Sequence, residues 1–584
     1  MTVAGAFFYL TFCSIKNGLR VRLRRLRQPR YLIVTLVGGL YFFNYAVLFR
    51  GVRDGSGGDA RISLGELAAK VGVSLELIGC LLIVLIVSVS LLIPGRRPAL
   101  DFSRADIQFL FTAPVTRRQL LHYKLLRSQI GALVGSLFFA LVLRPGGSSA
   151  VGRFWIGLWI VAIAIELHFI GSTLARNSLI AHGGSGWSRQ RTPLLIVATV
   201  IAALAWAIVP AGPALSAMTS ARAVFAELER LTSTGVAGVV LWPFHALARL
   251  PLATSGAEFL RALPWAVVII VLHYVWVIRA DTAFEEASAE HAEIRANTPP
   301  GRRRPLVRKR RAPFRLAASG PPEVALLWKN LILLSRQTTL SLIILLIPLV
   351  GILGGLLATD AKRAGVAAVV AILCLALVGF LVLTGPLSMR NDLRQDLANL
   401  PLLKTWPVRG AVLVRGAVLA PTVALSVMIT FLIVLGAILL GQVEGASGRR
   451  AVLILDRFVY AGIAILLAPA VVLVQVLIQN AFAVLFPAWV TIGPSRGRGS
   501  MEAMGQQMVM MFGTLFLLGL ALVPAAVATT VVGLAIYALT GTVALLPCAA
   551  VATIVIVVEC WVATELLGAV LDRTDVGAID APSS

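Results

Sequence analysis

Residues 101–127, DFSRADIQFLFTAPVTRRQLLHYKLLR, form a charged, amphipathic passage in a chain that is otherwise mostly apolar. Hydrophobic residues make up 58% of the 584 positions and charged residues 14%, well under the usual charged share. Apolar runs of about twenty residues recur on both sides of the passage, the length a helix needs to cross a bilayer core. A helix closes its own backbone hydrogen bonds and so tolerates lipid, whereas barrel strands would be short and alternating. The chain therefore reads as an all-α polytopic membrane protein.

Working outward, the passage separates a span at 75–93 from one at 128–143. The first thirty residues repeat Phe8, Phe12, Ile15 and Leu19 at helical spacing among arginines. That pattern predicts an entry helix lying on the membrane, its arginines near anionic headgroups. Further spans are expected at 31–49, 154–174, 194–209 and 263–278. Ahead of the last of these, ARAVFAELERLT sets Val224, Phe225, Leu228 and Leu231 on one side, and LWPFHALARLP carries interface-seeking aromatics. Both are expected as helices at the outer surface, dipping into lipid. The lone histidines of HALAR and HGGSG read as solvated.

Residues 281–321 change character. An acidic segment, DTAFEEASAEHAEIR, gives way to the basic PPGRRRPLVRKRRAP, a composition that buries no core. The chain thus divides into a first six-span half, 1–280, a basic cytoplasmic linker, 281–321, and a second six-span half, 322–584. The second half opens with its own amphipathic helix, PPEVALLWKNLILLSRQ. Spans follow near 340–358, 366–383, 417–440, 458–478 and 543–564, with a stretch at 508–539 broken by Pro524. About twelve spans result.

The 52 Lys and Arg outnumber the 27 Asp and Glu, for a net charge of +25. In a soluble protein this would point to nucleic acid. Here the basic residues belong to cytoplasmic loops, and no nucleic-acid partner is expected. The same rule puts both termini, the linker and the passage at 101–127 in the cytoplasm. The short apolar stretch at 6–13 precedes the basic cluster instead of following it, so the N-terminus does not read as a cleavable signal. Cys13, Cys80, Cys374, Cys548 and Cys560 are scattered and form no CxxC pair, which argues against a zinc site or a disulfide framework.

The opening passage has a fainter copy at 392–415. Without a gap, Ile107 matches Leu400, Leu110 matches Leu403, and Pro114-Val115 matches Pro407-Val408. Asp101, Arg104 and Asp106 precede the apolar pair in one copy; Asp392, Arg394 and Asp396 precede it in the other. Thr116-x-x-Gln119, around Arg117 and Arg118, is a capping box for the onward helix. The second copy has Arg409 and Gly410 there and lacks the cap. One such passage fits a surface-lying loop equally well. Two at matching places on the cytoplasmic side favour a docking helix: an apolar knob, charges for register and a stiff link to a span.

FLFTAPVTRRQLLHYKLL, PEVALLWKN and NAFAVLFPAW, together with the six-span halves, resemble the transmembrane subunits of type-2 ABC exporters. More narrowly, the chain resembles bacterial ABC exporter permeases in which two such halves are fused. The resemblance implies that each half carries a coupling helix contacting a separate ABC ATPase subunit, two copies in all, at the inner membrane of a bacterium. The implied contact residues are Asp101, Arg104, Asp106, Ile107, Leu110, Pro114, Arg117 and Arg118 in the first copy. In the second they are Asp392, Arg394, Asp396, Leu400, Leu403, Pro407 and Arg409. The second copy departs from the first at Lys404, Trp406 and Gly410, against Phe111, Ala113 and Arg117, so the first is expected to be the more dependent contact.

No GxxxxGK[ST] phosphate loop or HExxH occurs in the sequence. ATP is accordingly bound by the partner, and the chain itself holds no cofactor. Glu166, His168, His273 and Glu559 fall within spans, where ionisable groups are costly. Bonds between helices account for them before a substrate path or a proton-linked switch does; the same holds for Gln475, Gln479 and Asn480. An ion-coupled secondary transporter, or a membrane-embedded enzyme acting on lipid-linked substrates, are the alternatives. The first leaves the paired passages without a use, and the second lacks a catalytic cluster. The substrate stays open, since Leu, Val and Ala suit lipids, hydrophobic drugs and peptides alike.

Overall fold

In the computed structural model, residues 3–25, 27–29, 32–33, 35–36, 39–40, 74–92, 113–143, 148–181, 186–218, 220–296, 314–317, 319–335, 364–389, 391–446, 452–487, 511, 513–542 and 544–574 are described. All the regular structure among them is helical, and ten helices are long and apolar enough to cross a membrane.

In the first half, α1 (Val3–Arg25) is the entry helix and α2 (Leu75–Leu92) the span before the first passage. They are followed by α3 (Arg117–Leu143), α4 (Ser148–Ala181), α5 (Gly186–Ala217), α6 (Ala221–Ser233), α7 (Gly235–Leu252) and α8 (Gly256–Ala296). The second half contains α9 (Pro322–Ser335) and α10 (Ala364–Ser388), then two single turns, α11 (Leu393–Asp396) and α12 (Leu400–Leu403). The long helices α13 (Gly410–Ala446), α14 (Val452–Leu485), α15 (Val523–Thr540) and α16 (Leu545–Arg573) complete it.

All but one of the ten candidate spans fall on expected ones. The expected spans at 31–49 and 340–358 lie outside the described residues, and the one at 75–93 is α2, whose apolar run Leu75–Ser88 is shorter than the rest. The exception is α7, read from LWPFHALARLP as a surface helix. Instead it packs between α2, α4, α5 and α8, burying Leu241, His245, Leu247 and Leu250. Its polar residues find partners there: Glu76 of α2 accepts from His245 Nδ1 at 3.0 Å and from Arg249 Nε at 2.6 Å. His245 is therefore not solvated, because a hydrogen bond to a carboxylate on a facing helix makes its burial tolerable.

Helix α8 carries the sixth span on without a break through the acidic segment to Ala296. The break expected near Pro524 is present. A turn at Leu522 separates two helical pieces, and Pro524 sits in the first turn of α15, where its missing N–H costs nothing. Gly541, at φ +71°, closes that helix in the left-handed conformation suited to glycine.

The amphipathic helix α6 starts at Ser220, whose Oγ accepts from Ala223 N at 3.3 Å. On its exposed side Arg230 donates to Glu227, and this bonding holds the Glu227 carboxyl below its usual range. Its apolar side does not face lipid: Val224 and Phe225 are buried with Leu77 and Leu215 of the first half and Val369 of the second. Helix α6 thus bridges the halves beside the start of α10. The end of α10 meets the second passage, because Arg394 donates to the Pro386 carbonyl. Along α10, Val369 and Pro386 mark the two places, about 26 Å apart at 1.5 Å per residue.

Candidate functional site

The second passage is a compact structure of its own. Asp392 caps α11 by accepting from Arg394 N at 3.0 Å. A 3-10 turn over Leu397–Asn399 leads into α12, with Pro401 near its start. The chain then tightens through Lys404 N to Leu400 O (3.0 Å) and Trp406 N to Leu403 O (3.2 Å), and Pro407 separates this turn from α13.

A buried ion pair holds it in place. The Asp392 side chain is 0% and the Arg394 side chain 4% exposed. Arg394 Nε lies 3.0 and 2.9 Å from the two Asp392 oxygens, and its Nη2 lies 2.6 Å from Oδ2. The same Nη2 donates to the carbonyls of Pro386 (2.7 Å) and Met389 (2.5 Å). From α14, Asn480 donates to Asp392 Oδ2 at 3.1 Å and accepts from Leu393 N at 3.0 Å. Charges removed from water need this density of partners. The bonding between helices expected for Asn480 is present, and its object is the passage itself. Gln479 likewise bonds Thr514, at 3.0 Å.

Three further elements are tied to the passage. Lys329 of α9 reaches Asp396 at 2.6 Å. Arg415, in the second turn of α13, pairs with Glu323 of α9 at 3.3 Å and with Glu565 of α16. The Asp572 carboxylate accepts from Gly410 N at 3.0 and 3.2 Å. This is an N-cap supplied from another helix, with negative charge at the positive end of α13. Lys404 donates to the carbonyls of Asp572 and Thr574. The absent local cap of the second copy is thus replaced by a tertiary one.

Gly410 and Gly568 make this approach possible. A Cβ on Gly410 would meet the Gly568 carbonyl, and one on Gly568 would meet the Ala411 backbone. Gly568→Ala should therefore push α16 from α13 and cost about 1–3 kcal/mol, read as a lowered melting midpoint of the purified chain. An unchanged midpoint would contradict the tight contact.

The expected docking residues sort into two sets. Leu400 and Leu403 point inward, buried with Leu413, Val414 and Leu571, so they are not an outward knob. The side chains that do face out are Leu402, 59% exposed, and Trp406, 38% exposed, flanked by exposed Pro401, Thr405, Pro407 and Arg409. Arg394 is internal, and Asp396 belongs to the Lys329 pair.

In the first passage, Asp101, Arg104, Asp106, Ile107 and Leu110 lie outside the described residues. Pro114 and Arg118 are exposed, and Arg117 begins α3. The capping box forms as expected: Thr116 N donates to Gln119 Oε1 at 2.9 Å, and Gln119 N to Thr116 Oγ1 at 3.4 Å. Past it, Leu120 and Tyr123 are buried against Phe7 of α1, with the Phe7 and Tyr123 rings stacked at 4.9 Å. In the gap-free match Tyr123 corresponds to Gly416, and Gly416 lies against Leu326 of α9. In each half the entry helix therefore packs on the same position of the helix that follows the passage.

The gap-free match needs one correction. Pro114-Val115 and Pro407-Val408 lie 293 residues apart, but Arg104-x-Asp106 and Arg394-x-Asp396 lie 290 apart. The second copy has three extra residues between these motifs.

The structure joins two of the four expected intramembrane groups. His168 and His273 face each other across α4 and α8 with ring centroids 5.6 Å apart, beside Trp276. Glu166 instead accepts from Gln129 of α3 at 3.0 Å, the inter-helix bond expected. Glu559 stands apart on α16 and is partly exposed. No group of three metal-ligating side chains occurs among the described residues.

An all-helical chain with ten candidate spans is a multi-pass membrane protein. A family model described as "Putative ABC exporter" matches residues 5–569, and the chain belongs to that family. Its members are the membrane components of ABC exporters, which implies an ATPase partner and a non-catalytic role for this chain. No curated protein and no solved structure matches the chain.

Proposed function

We propose that the chain is the permease of a type-2 ABC exporter, two fused six-span halves that carry substrate outward while two copies of a separate subunit hydrolyse ATP. The observation that carries this reading is the second passage, which is clamped to α9, α13, α14 and α16 at once. A push on Leu402 and Trp406 is delivered to all four helices together, as a coupling element requires. The residue types of the clamp recur in the first half, with Lys16-Asn17 answering Lys329-Asn330, Arg104-x-Asp106 answering Arg394-x-Asp396, and Asn177 answering Asn480. That recurrence supports the repeat and a matching first coupling helix.

Both passages face the cytoplasm in this reading, and α6 seals the halves at the outer end. ATP binding draws the two ATPase copies together, the coupling helices move with them, and the halves tilt about the α6–α10 contact. Purified permease alone should show no ATP turnover. Turnover should appear, and respond to the permease, only in complex with an ATPase subunit carrying a phosphate loop. Full turnover by the permease alone, or transport driven by an ion gradient with no such subunit, would overturn the proposal. In a variant with the five native cysteines replaced, Val224→Cys and Val369→Cys joined by a short thiol cross-linker should lock the seam. Permease-dependent ATP turnover should then fall at least tenfold and return on reduction, whereas unchanged turnover would remove α6 from the mechanism.

A further inference from the structure

The entry helix of the first half carries five Lys and Arg, that of the second half one. In the second half the basic groups near the entry helix meet carboxylates: Lys329 with Asp396, and Arg415 with Glu323 and Glu565. In the first half, no Asp or Glu occurs before Asp54 or between Asp106 and Glu166. Yet residues 1–30 carry seven Lys and Arg, and residues 113–143 carry four more.

Helix α1 is turned by its contact with α3. Phe7 stacks on Tyr123, Thr11 is buried, and Arg127 approaches Ser14 Oγ at 3.4 Å. The opposite surface is an exposed i, i+4 ridge of Phe8, Phe12, Lys16, Arg20 and Arg24, with exposed Arg27 just beyond. Phe8 and Phe12 are each 64% exposed. A ridge that is aromatic at one end and cationic at the other matches the boundary between acyl chains and phosphates. A soluble acidic protein would match the arginines but leave both phenylalanines without apolar cover.

We infer that this ridge is a binding surface for anionic phospholipid headgroups, with Arg20, Arg24 and Arg27 on the phosphates and Phe8 and Phe12 among the upper acyl carbons. The lipid would supply the counter-charge for these three arginines. The inference rests on the reading that α1 lies at the cytoplasmic face, and protease access to α1 from either side of sealed vesicles tests that reading separately.

The full-length chain would be placed in nanodiscs of phosphatidylcholine alone or with one third phosphatidylglycerol, and amide exchange followed over residues 16–28. Each basic residue at an anionic surface contributes roughly fivefold in affinity, so three give about a hundredfold. Protection should rise at least tenfold with phosphatidylglycerol, fall in high salt, disappear in the Arg20→Gln/Arg24→Gln/Arg27→Gln variant and survive in the corresponding triple Lys variant. Equal protection in both lipids, or protection that persists in the Gln variant, would overturn it. Protection by millimolar inorganic phosphate in phosphatidylcholine discs would assign a small-anion site and reject the lipid.

Discussion

Replacing Arg394 with Met is expected to cost about 3–5 kcal/mol, because it leaves the Asp392 carboxyl buried without its guanidinium partner. The guanidinium also holds the carbonyls of Pro386 and Met389, so the end of α10 should loosen with it. Removing both charges, as Asp392→Asn with Arg394→Met, should recover much of the loss, since an uncompensated charge is worse than none. Thermal melting of the purified chain, run as a double-mutant cycle, reads both effects. A single variant as stable as the parent would show that the pair does not hold the passage. Asn480→Ala removes the bonds to Asp392 and to Leu393 N and should cost about 1–3 kcal/mol.

The second large effect should appear without loss of stability. Leu402→Ala together with Trp406→Ala changes exposed side chains, so the melting midpoint should move little. Binding of the ATPase subunit should weaken by about 2–4 kcal/mol, or at least roughly thirtyfold, as removal of an aromatic anchor at an interface centre does. Leu400→Ala with Leu403→Ala should behave in the opposite way. Both side chains are buried, so each truncation should cost about 2–5 kcal/mol of stability, and any loss of binding should follow from that. If the Leu402/Trp406 pair bound the ATPase subunit normally, the outward face of α12 would not be the contact.

The contrast between these pairs marks the limit of what the sequence could tell. Periodicity put Leu400 and Leu403 on one helix face, correctly. It could not say whether that face looks toward the bundle or toward a partner, since both are apolar destinations. The answer depended on Leu413, Val414 and Leu571, the last of them more than 160 positions away. The long spans were legible because a twenty-residue apolar run has few other uses. The Thr116–Gln119 box was legible because both its bonds are local.

Helix α7 was misread for the opposite reason. Pro243, Pro251, His245 and Arg249 look like an interfacial segment until Glu76 is known to lie opposite. The same holds for the second passage's cap. Its absence could be read at Gly410, but its replacement, Asp572, comes from the end of the last helix. The carboxylates that matter most around the passage, Glu323, Glu565 and Asp572, carry no local motif.

The most direct test is a photo-activated cross-linker placed singly at Trp406, at Leu402 or, as a control on α7 away from the second passage, at Val239, with the permease and its ATPase subunit co-expressed in intact cells. All three side chains are exposed, so reactivity alone does not separate them. An adduct containing the ATPase subunit from positions 406 and 402, and none from 239, is the result predicted. An adduct from 239 alone, or none from 406 and 402 in a complex that still assembles, would contradict the assignment of the second passage as the coupling element.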